Sequence, residues 1–418
     1  MESSRGVSPS SSPSPRPVRV ALDARVLQGE DARKGIGRYT RGLIESLLTI
    51  RKESGLEIYL VFLKDHPAPD LDPSAASGVL AVDGPAPAGP VARAAAFLSA
   101  SAGGPQPPPK DARALVEGAR RCGADILHIA SPLHGPFGWA PVPRPRCVAT
   151  VYDLIPVLHA TRFLESWPEA ARARYLRRLG MLPSLEMVFA ISRSVAEDLV
   201  RHTGMDPRRI RVAYPGVHFS AGREPGGNER AEGGREGFLL AFVSRNPSKN
   251  AEGLLRGFAL LPPEMRRARR LHLLDSGDTD TRQWLGDLAR RLGISEEVDF
   301  LGEVTDAELA GLYRKTSLVL LPSTAEGFGL PALEAMALGA PVAASRLPVL
   351  DEVLGDAAFY FDPWDPASLA SAVRAALDSP DLLAAASRKG RERAALFSWE
   401  KTARLVADAY REVAMRAG

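Results

Sequence analysis

Short apolar runs rich in β-branched residues recur along the chain, separated by longer stretches with helical periodicity. The runs in the first half are Val18–Leu22, Ile58–Leu63, Ile126–Ile129, Cys147–Val151, Val188–Ile191 and Ile210–Ala213. Those in the second half are Phe238–Val243, Leu271–Leu274, Val298–Leu301, Leu318–Leu321, Val342–Ala344 and Ala358–Phe361. Near-continuous apolar strands that alternate with helices are typical of buried parallel sheets. The pattern therefore predicts an α/β fold.

The series is interrupted once, between Ser220 and Gly237, by a stretch rich in Gly, Glu and Arg that suits a flexible linker. We therefore predict two doubly wound domains, at 18–219 and 238–398, with residues 220–237 between them. Open parallel sheets bind ligands at the carboxyl ends of their strands, so two facing sheets would form one deep cleft. The region 84–110, rich in Pro, Ala and Gly, predicts an insertion loop with a short helix near Val91–Leu98.

Composition restricts the possible functions. The chain has 418 residues, and its 53 basic and 50 acidic side chains give a net charge of only +3, which argues against bulk nucleic-acid binding. Residues 1–17 are rich in Ser and Pro, which predicts a disordered tail and no signal peptide. Cys122 and Cys147 have no paired or metal-ligand spacing, so we expect a reduced cytoplasmic protein. No run approaches 18 apolar residues, so no membrane-spanning helix is expected.

The segment after the strand Leu318–Leu321 carries the strongest site signal. Small residues lead into a Gly327-x-Gly329 turn and then a helix with Pro331 at its start. Glycines let a phosphate approach the free N–H groups and the partial positive charge of a helix N-terminus. Glu326 and Glu334 have seven residues between them. Their carboxylates can accept hydrogen bonds from the hydroxyls of a sugar and a ribose. The alternative is a plain strand–helix turn with solvated glutamates.

This segment resembles the Glu-x7-Glu signature of glycosyltransferase family 4, and the likeness continues through Ala340–Val342, Leu347–Pro348 and Glu352–Val353. Further likenesses are Ala21–Arg25, Lys34–Tyr39, Thr150–Pro156, Ala190–Ser192, Pro215–Val217, Phe300–Gly302 and Leu312–Tyr313. The resemblance implies the GT-B fold, in which two Rossmann-like domains face an interdomain cleft. It also implies that the helical pattern at 399–418 packs back on the first domain. The subgroup it is most similar to is the mannosyltransferase-like members that build bacterial surface polysaccharides.

The resemblance assigns roles to particular residues. Lys249 aligns with the lysine that binds the donor diphosphate, and Arg245 is expected to supply a second charge because Ser248 replaces a basic neighbour. The implied donor contacts are Arg245, Lys249, Gly302, Glu326, Gly327, Phe328, Gly329, Leu330 and Glu334. The implied catalytic residues are Asp153, Lys249 and Glu326. On the acceptor side the resemblance implies Gly35, Gly37, Arg38 and Tyr152, although Tyr152 stands where many relatives have histidine.

Several weaker signals have two interpretations. Gly35-x-Gly37 lacks the third glycine of a dinucleotide fingerprint, and it is either a cleft loop or a surface turn before a helix at Tyr39–Leu48. Asp278–Asp280 has the Asp-x-Asp spacing of a metal-binding motif. We interpret it as a helix N-cap, because GT-B relatives work without metal. His128 and His134 either touch substrate or are structural. The arginines of 172–178 and 266–270 lie on solvated helix faces, or else attract an anionic membrane or lipid diphosphate.

The resulting hypothesis is a retaining glycosyltransferase without a metal or other cofactor. It moves a sugar, with mannose favoured, from a nucleoside diphosphate sugar to a hydroxyl of a glycan or lipid-linked acceptor in surface polysaccharide synthesis. GDP-mannose is the first candidate donor. The expected location is cytoplasmic, with peripheral contact at the inner face of the membrane. The alternatives are a non-catalytic sugar-nucleotide-binding scaffold and a GT-B epimerase or phosphorylase.

Overall fold

The computed structural model describes residues 16–29, 31–66, 71–84, 110–135, 137–217, 237–275, 277 and 279–416. The predicted insertion helix at 91–98, Asp278, and most of the predicted tail and linker lie outside these residues.

Seven parallel strands form the first sheet, in the order β3-β2-β1-β4-β5-β6-β7. They are β1 Val18–Asp23, β2 Leu56–Leu63, β3 Gly78–Val82, β4 Ile126–Ile129, β5 Arg146–Val151, β6 Met187–Ala190 and β7 Ile210–Val212. Six parallel strands form the second, in the order β10-β9-β8-β11-β12-β13. They are β8 Phe238–Phe242, β9 Arg270–Leu274, β10 Val298–Phe300, β11 Leu318–Leu321, β12 Val342–Ser345 and β13 Ala358–Phe361.

Helices cover both sheets. Those of the first half are α1 Gly35–Ile50, α2 Lys110–Arg121, α3 Ile155–Leu158, α4 Glu169–Met181 and α5 Arg193–Thr203. The helices that follow are α6 Ala251–Ala259, α7 Pro263–Ala268, α8 Thr279–Arg291, α9 Asp306–Lys315, α10 Leu330–Ala337, α11 Pro348–Leu354, α12 Pro366–Leu377, α13 Pro380–Ala394 and α14 Trp399–Met415. No described helix combines the length and apolarity needed to cross a bilayer.

The central strands of both sheets are buried because helices pack on each face. Each sheet runs outward from its first strand in one direction and then reverses, which is the Rossmann order. The reversal lies between β1 and β4 in the first sheet and between β8 and β11 in the second. The predicted fold class is confirmed, and ligand crevices are expected at these two points.

The predicted strands agree with the observed ones to within about two residues at each end. The strand β3 was not predicted, because it is short, begins with Gly78 and alternates between half-buried and exposed positions at the sheet edge. The helix expected at Tyr39–Leu48 begins earlier, at Gly35, so the Gly35-x-Gly37 pair lies in the first turn of α1 and not in a loop before it.

The last helix, α14, packs against α1 of the first sheet. A Cβ built on Gly42 would overlap the ring of Trp399, so the small residue permits the close approach of the two helices. Deeper in the same contact the Tyr410 hydroxyl lies 2.5 Å from His128 Nδ1, and Thr150 Oγ1 lies 2.9 Å from Nε2 of the same ring. His128 is therefore a buried structural residue and not a substrate contact.

Candidate active site

The loop between β11 and α10 is shaped by Gly329, which has a φ of +92°, a left-handed conformation that favours glycine. A Cβ at this position would also lie 2.6 Å from a methyl carbon of Leu350. The helix α10 starts at the next residue, Leu330, with Pro331 in its second position, and no side chain caps its first turn. Pro331 has no N–H, and the amides of Ala332 and Leu333 donate to the Gly329 carbonyl oxygen at 3.0 and 3.3 Å, so the Leu330 amide is the donor of this first turn that can meet an anionic ligand.

A second loop, between β8 and α6, presents Lys249 to the first. The Asn246 side chain accepts a hydrogen bond from Ser248 N at 3.0 Å, which starts a single 3-10 turn ending at Lys249. The next residue, Asn250, adopts a φ of +50°, and its amide donates to the carbonyl oxygens of Pro322 and Pro363 at 3.1 and 2.8 Å. The first bond fixes the β8–α6 loop against the β11–α10 loop, and the second fixes it against the segment that follows β13.

The first carboxylate of the signature is bound by this lysine. Lys249 Nζ lies 2.7 Å from Glu326 Oε1, and Ser323 Oγ donates to the same oxygen at 2.7 Å. The Glu326 side chain is 11% exposed and that of Lys249 is 30% exposed. One cation and one carboxylate are thus held together at the carboxyl edge of β11.

The second carboxylate is bound from the other domain. Arg38, in the first turn of α1, donates to Glu334 Oε1 at 2.7 Å and to Asp306 Oδ1 at 2.7 Å. Burial raises the pKa of Glu334 to about 7, and the Arg38 guanidinium partly opposes this effect. The Glu334 side chain is only 3% exposed, whereas that of Asp306 is 71% exposed. Arg38 therefore bridges the cleft from α1 to α9 and α10.

Asp153 lies beyond the end of β5. Its Oδ1 accepts the Ile155 amide at 3.0 Å and lies 3.6 Å from His134 Nε2. Burial alone would raise the pKa of Asp153, but His134, the Ile155 amide and the charge of Lys249 together lower it. Burial likewise opposes the charged form of His134, yet Asp153 raises the pKa of that histidine. Asp153 is therefore held as a carboxylate at the first-domain side of the cleft.

The two domains touch at Gly327. A Cβ built there would overlap the carbonyl oxygen of Tyr152 and lie 3.2 Å from the Cβ of Asp153. The absence of a side chain at Gly327 therefore allows the two domains to pack closely at this point. The Tyr152 ring points into the first domain, where its hydroxyl lies 3.0 Å from Thr40 Oγ1 and burial raises its pKa. Tyr152 thus offers its backbone, and not its phenol, to the cleft.

The other predicted site residues lie around this centre. Phe328 is buried in an aromatic cluster with Tyr214 and Phe397, so its backbone is the part available to a ligand. Arg245 is 61% exposed and lies 3.6 Å from Asp280. Gly302 has a φ of +76° and faces the guanidinium of Arg282.

The two glycines of α1 differ from each other. Nothing lies within 4 Å of a Cβ built on Gly35, whereas one built on Gly37 would overlap the carbonyl oxygens of Asp31 and Ala32. Gly37 therefore lets the start of α1 fold tightly against the preceding turn. That packing places Arg38 in the cleft.

Three residues of the cleft had no predicted role. Asp306 binds Arg38, and buried Asp275 binds Arg282 at 3.0 Å beside Gly302. Glu352 of α11 accepts hydrogen bonds from the amides of Arg193 and Ser194 at the start of α5. Asp306 and Glu352 bind residues far away in the sequence, and Asp275 binds an arginine that in turn faces Gly302. The local spacing of residues therefore could not predict these contacts. Among the described residues, no group of three or more His, Cys, Asp or Glu side chains is arranged to hold a metal ion.

Comparison with known proteins identifies the family. Residues 34–220 match the family described as Glycosyltransferase Family 4, and residues 228–393 match Glycosyl transferases group 1. A D-inositol 3-phosphate glycosyltransferase of Catenulispora acidiphila is 32% identical over 300 residues, covering 68% of this chain and 70% of the relative. The chain belongs to glycosyltransferase family 4. This family 4 chain is also 29% identical to the serotype-specific mannosyltransferase WbdA of Escherichia coli, over 68% of this chain and 36% of that protein.

Solved structures agree on the fold of this family 4 enzyme. A sucrose-phosphate synthase from Thermosynechococcus elongatus superposes with a TM-score of 0.69 at 21% identity, over 96% of this chain and 100% of that chain. HepE of Anabaena, in a complex with UDP and glucose, gives a TM-score of 0.64 at 15% identity, over 94% and 100% of the two chains. The family 4 protein is thus a glycosyltransferase with the GT-B fold.

Proposed function

We propose that the protein transfers a sugar, with mannose favoured, from a nucleoside diphosphate sugar to a hydroxyl of a glycan or lipid-linked acceptor, with retention at the anomeric carbon. The observation that carries this proposal is a pair of glutamates, one before α10 and one within it, each bound to a cation: Glu326 to Lys249 and Glu334 to Arg38. The mannosyltransferase name of WbdA supports mannose as the transferred sugar. GDP-mannose is therefore the first donor to test, followed by UDP- and dTDP-sugars.

In this scheme the diphosphate binds over the first turn of α10. The bond between the anomeric carbon and the phosphate oxygen breaks, and the diphosphate leaves with the electron pair. The growing negative charge is stabilised by Lys249, Arg245 and the amides of 328–330. One well-placed hydrogen-bond donor commonly contributes about 3 kcal/mol to such stabilisation. The acceptor oxygen forms the new glycosidic bond, and its proton passes to the departing phosphate. No metal is required, because side chains and a helix N-terminus neutralise the charge.

The remaining residues orient the substrates. Glu326 would bind the donor sugar and Glu334 the ribose, whose hydroxyls would replace or share the bond from Arg38. Asp153, held as a carboxylate beside His134, would orient the reacting hydroxyl near the anomeric carbon.

We also propose a cytoplasmic location with peripheral membrane contact through α4. Arg174, Leu176 and Arg177 are exposed together on that helix, a combination that suits an anionic surface. Arg178, by contrast, turns inward and bonds the carbonyl oxygens of 135 and 137. The second arginine cluster is partly structural too, because Arg270 pairs with Asp299.

The proposal is tested by incubating the protein with GDP-mannose, UDP-glucose and dTDP-glucose labelled in the sugar, with and without EDTA. Release or transfer of label from one donor, unchanged by EDTA, is the expected result. Binding without any turnover would favour the scaffold alternative. Complete loss of turnover on chelation, restored by manganese, would overturn the metal-free scheme and direct attention to Asp280.

A further inference from the structure

A cavity of about 390 Å³ opens at the rim of the cleft, where the two domains meet. The first domain contributes Arg162, nine residues after Asp153 in the same connection. The second domain contributes Arg245, from the loop that carries Lys249, together with Trp284 and Trp364. The cavity is therefore lined by residues that neighbour Asp153 on one side and Lys249 on the other along the chain.

The aromatic wall of this cavity is exposed to solvent. Trp364 is 63% exposed, although the guanidinium carbon of Arg162 lies only 5.5 Å from its ring centroid. A large exposed indole leaves flat apolar surface in water, and here a cation lies over one face of the ring. A pyranose ring has a matching apolar face of C–H groups, with hydroxyls at its rim.

The charge of the cavity is positive. Its lining residues include three guanidinium groups, those of Arg162, Arg245 and Arg256, against one carboxylate, Glu252. That carboxylate is already bound by Arg256 at 2.6 Å. Guanidinium groups bind phosphate and carboxylate oxygens in a fork of hydrogen bonds, so the surplus charge favours an anionic group on the ligand.

The position of the cavity separates it from the nucleoside end of the site. Neither Arg38 nor Glu334 lines it, and nor does any residue of α9 or α10. Its lining instead includes Asn246, Pro247 and Asn250, which flank Lys249 in the β8–α6 loop.

We propose that this cavity is an acceptor subsite for an anionic glycan. A sugar ring of the acceptor stacks on Trp364, and a phosphate or carboxylate on that glycan binds Arg162, while Arg245 remains with the donor diphosphate. The inference rests on the proposed function, because it assumes that a glycosyl acceptor enters the cleft.

The test is the affinity of the full-length protein for small charged sugars, measured by calorimetry with GDP present. Trigalacturonate provides the carboxylate and mannose 6-phosphate the phosphate, with maltotriose and inorganic phosphate as the neutral and sugar-free counterparts. We expect at least one charged sugar to bind about tenfold or more tightly than either counterpart. Trp364→Ala and Arg162→Gln should each weaken that binding by about tenfold, whereas the exposed controls Leu260→Ala and Arg267→Gln should not.

Equal affinity for maltotriose and the charged sugars would overturn the anionic specificity. Unchanged affinity in both Trp364→Ala and Arg162→Gln, with melting temperatures like the wild type, would overturn the subsite. Titration of the wild-type protein with GDP-mannose decides the proposed function separately. A protein that binds the donor but no charged sugar keeps that function and loses the acceptor subsite.

Discussion

At the residue scale, Glu334 is the most informative side chain of the cleft. Burial places its pKa at about 7, so a proton binds to it in the range where the enzyme would work. Protonation removes the negative charge of Glu334 that pairs with Arg38. It also makes the Glu334 carboxyl a weaker hydrogen-bond acceptor for the ribose hydroxyls. We expect kcat/KM for the donor to fall as the pH drops through about 7, and this dependence to vanish in Glu334→Gln.

Two charge variants test the same assignment in opposite directions. Arg38 lowers the pKa of Glu334 and Asp306 raises it. Arg38→Gln should therefore move the inflection to higher pH, and Asp306→Asn should move it to lower pH. An inflection that stays in place in both variants would assign the pH dependence to another group.

Replacing Lys249 and replacing Glu334 should change different kinetic constants. Lys249 meets charge that grows as the bond breaks, so Lys249→Ala should mainly lower kcat. The ribose at Glu334 does not change during the reaction, so Glu334→Gln should mainly raise the donor KM, by a factor corresponding to about 1–3 kcal/mol. Steady-state kinetics at pH 8 separate the two effects. Wild-type kinetics in both variants would show that the donor binds elsewhere.

At the scale of elements, Glu352 joins α11 of the second domain to the start of α5 in the first. Its carboxylate accepts the amides of Arg193 and Ser194 at 2.7 and 3.1 Å and the Tyr214 hydroxyl at 2.7 Å. Glu352→Gln would turn an amide group toward these donors and lose the favourable charge at a helix N-terminus. We expect the free energy of unfolding to fall by about 1–3 kcal/mol.

The exposed Glu392 on α13 provides the matched control, because Glu392→Gln makes the same chemical change at the surface. Urea titrations of the two variants and the wild type give the comparison. Equal midpoints for Glu352→Gln and Glu392→Gln would show that the carboxylate does not hold the domains together.

Sequence patterns predicted the elements well because the central strands are buried on both faces and have continuous apolar runs. They also predicted the Gly327–Pro331 turn and the nearby glutamates, since these depend on local geometry. They did not predict that Arg38 binds Glu334, because 296 positions separate the two residues. The burial of the Tyr152 ring was missed for a related reason, since only the packed domain shows which way a side chain after β5 points.

At the scale of the whole molecule, Gly327 sets how closely the domains approach. Its φ lies outside the left-handed region, so alanine would suit the backbone and the cost would come from overlap with Tyr152. We expect Gly327→Ala to keep donor affinity within a few-fold, to lower kcat by about tenfold or more, and to increase the radius of gyration. Reacting atoms must come within about 3–3.5 Å, and a wedge between the domains prevents this.

Gly311→Ala is the control, because nothing lies within 4 Å of a Cβ built on this glycine of α9. That change should stabilise the helix by up to about 1 kcal/mol and leave kcat unchanged. The measurements are the radius of gyration from solution scattering and kcat and KM for the donor, taken on both variants. Full activity in Gly327→Ala would mean that transfer does not need the contact between Gly327 and Tyr152.

The packing of α14 on α1 also affects the order in which the protein is made. The first sheet ends with β7 at Val212, but the helix that covers α1 begins only at Trp399. At translation rates of 5–20 residues per second, the ribosome needs roughly 10–40 s to synthesise the intervening chain. During that time His128 Nδ1 lacks the Tyr410 hydroxyl, and the groove beside Gly42 lacks the ring of Trp399. A nascent first domain therefore keeps this apolar surface uncovered until synthesis ends, and exposed surface of this kind is prone to aggregation.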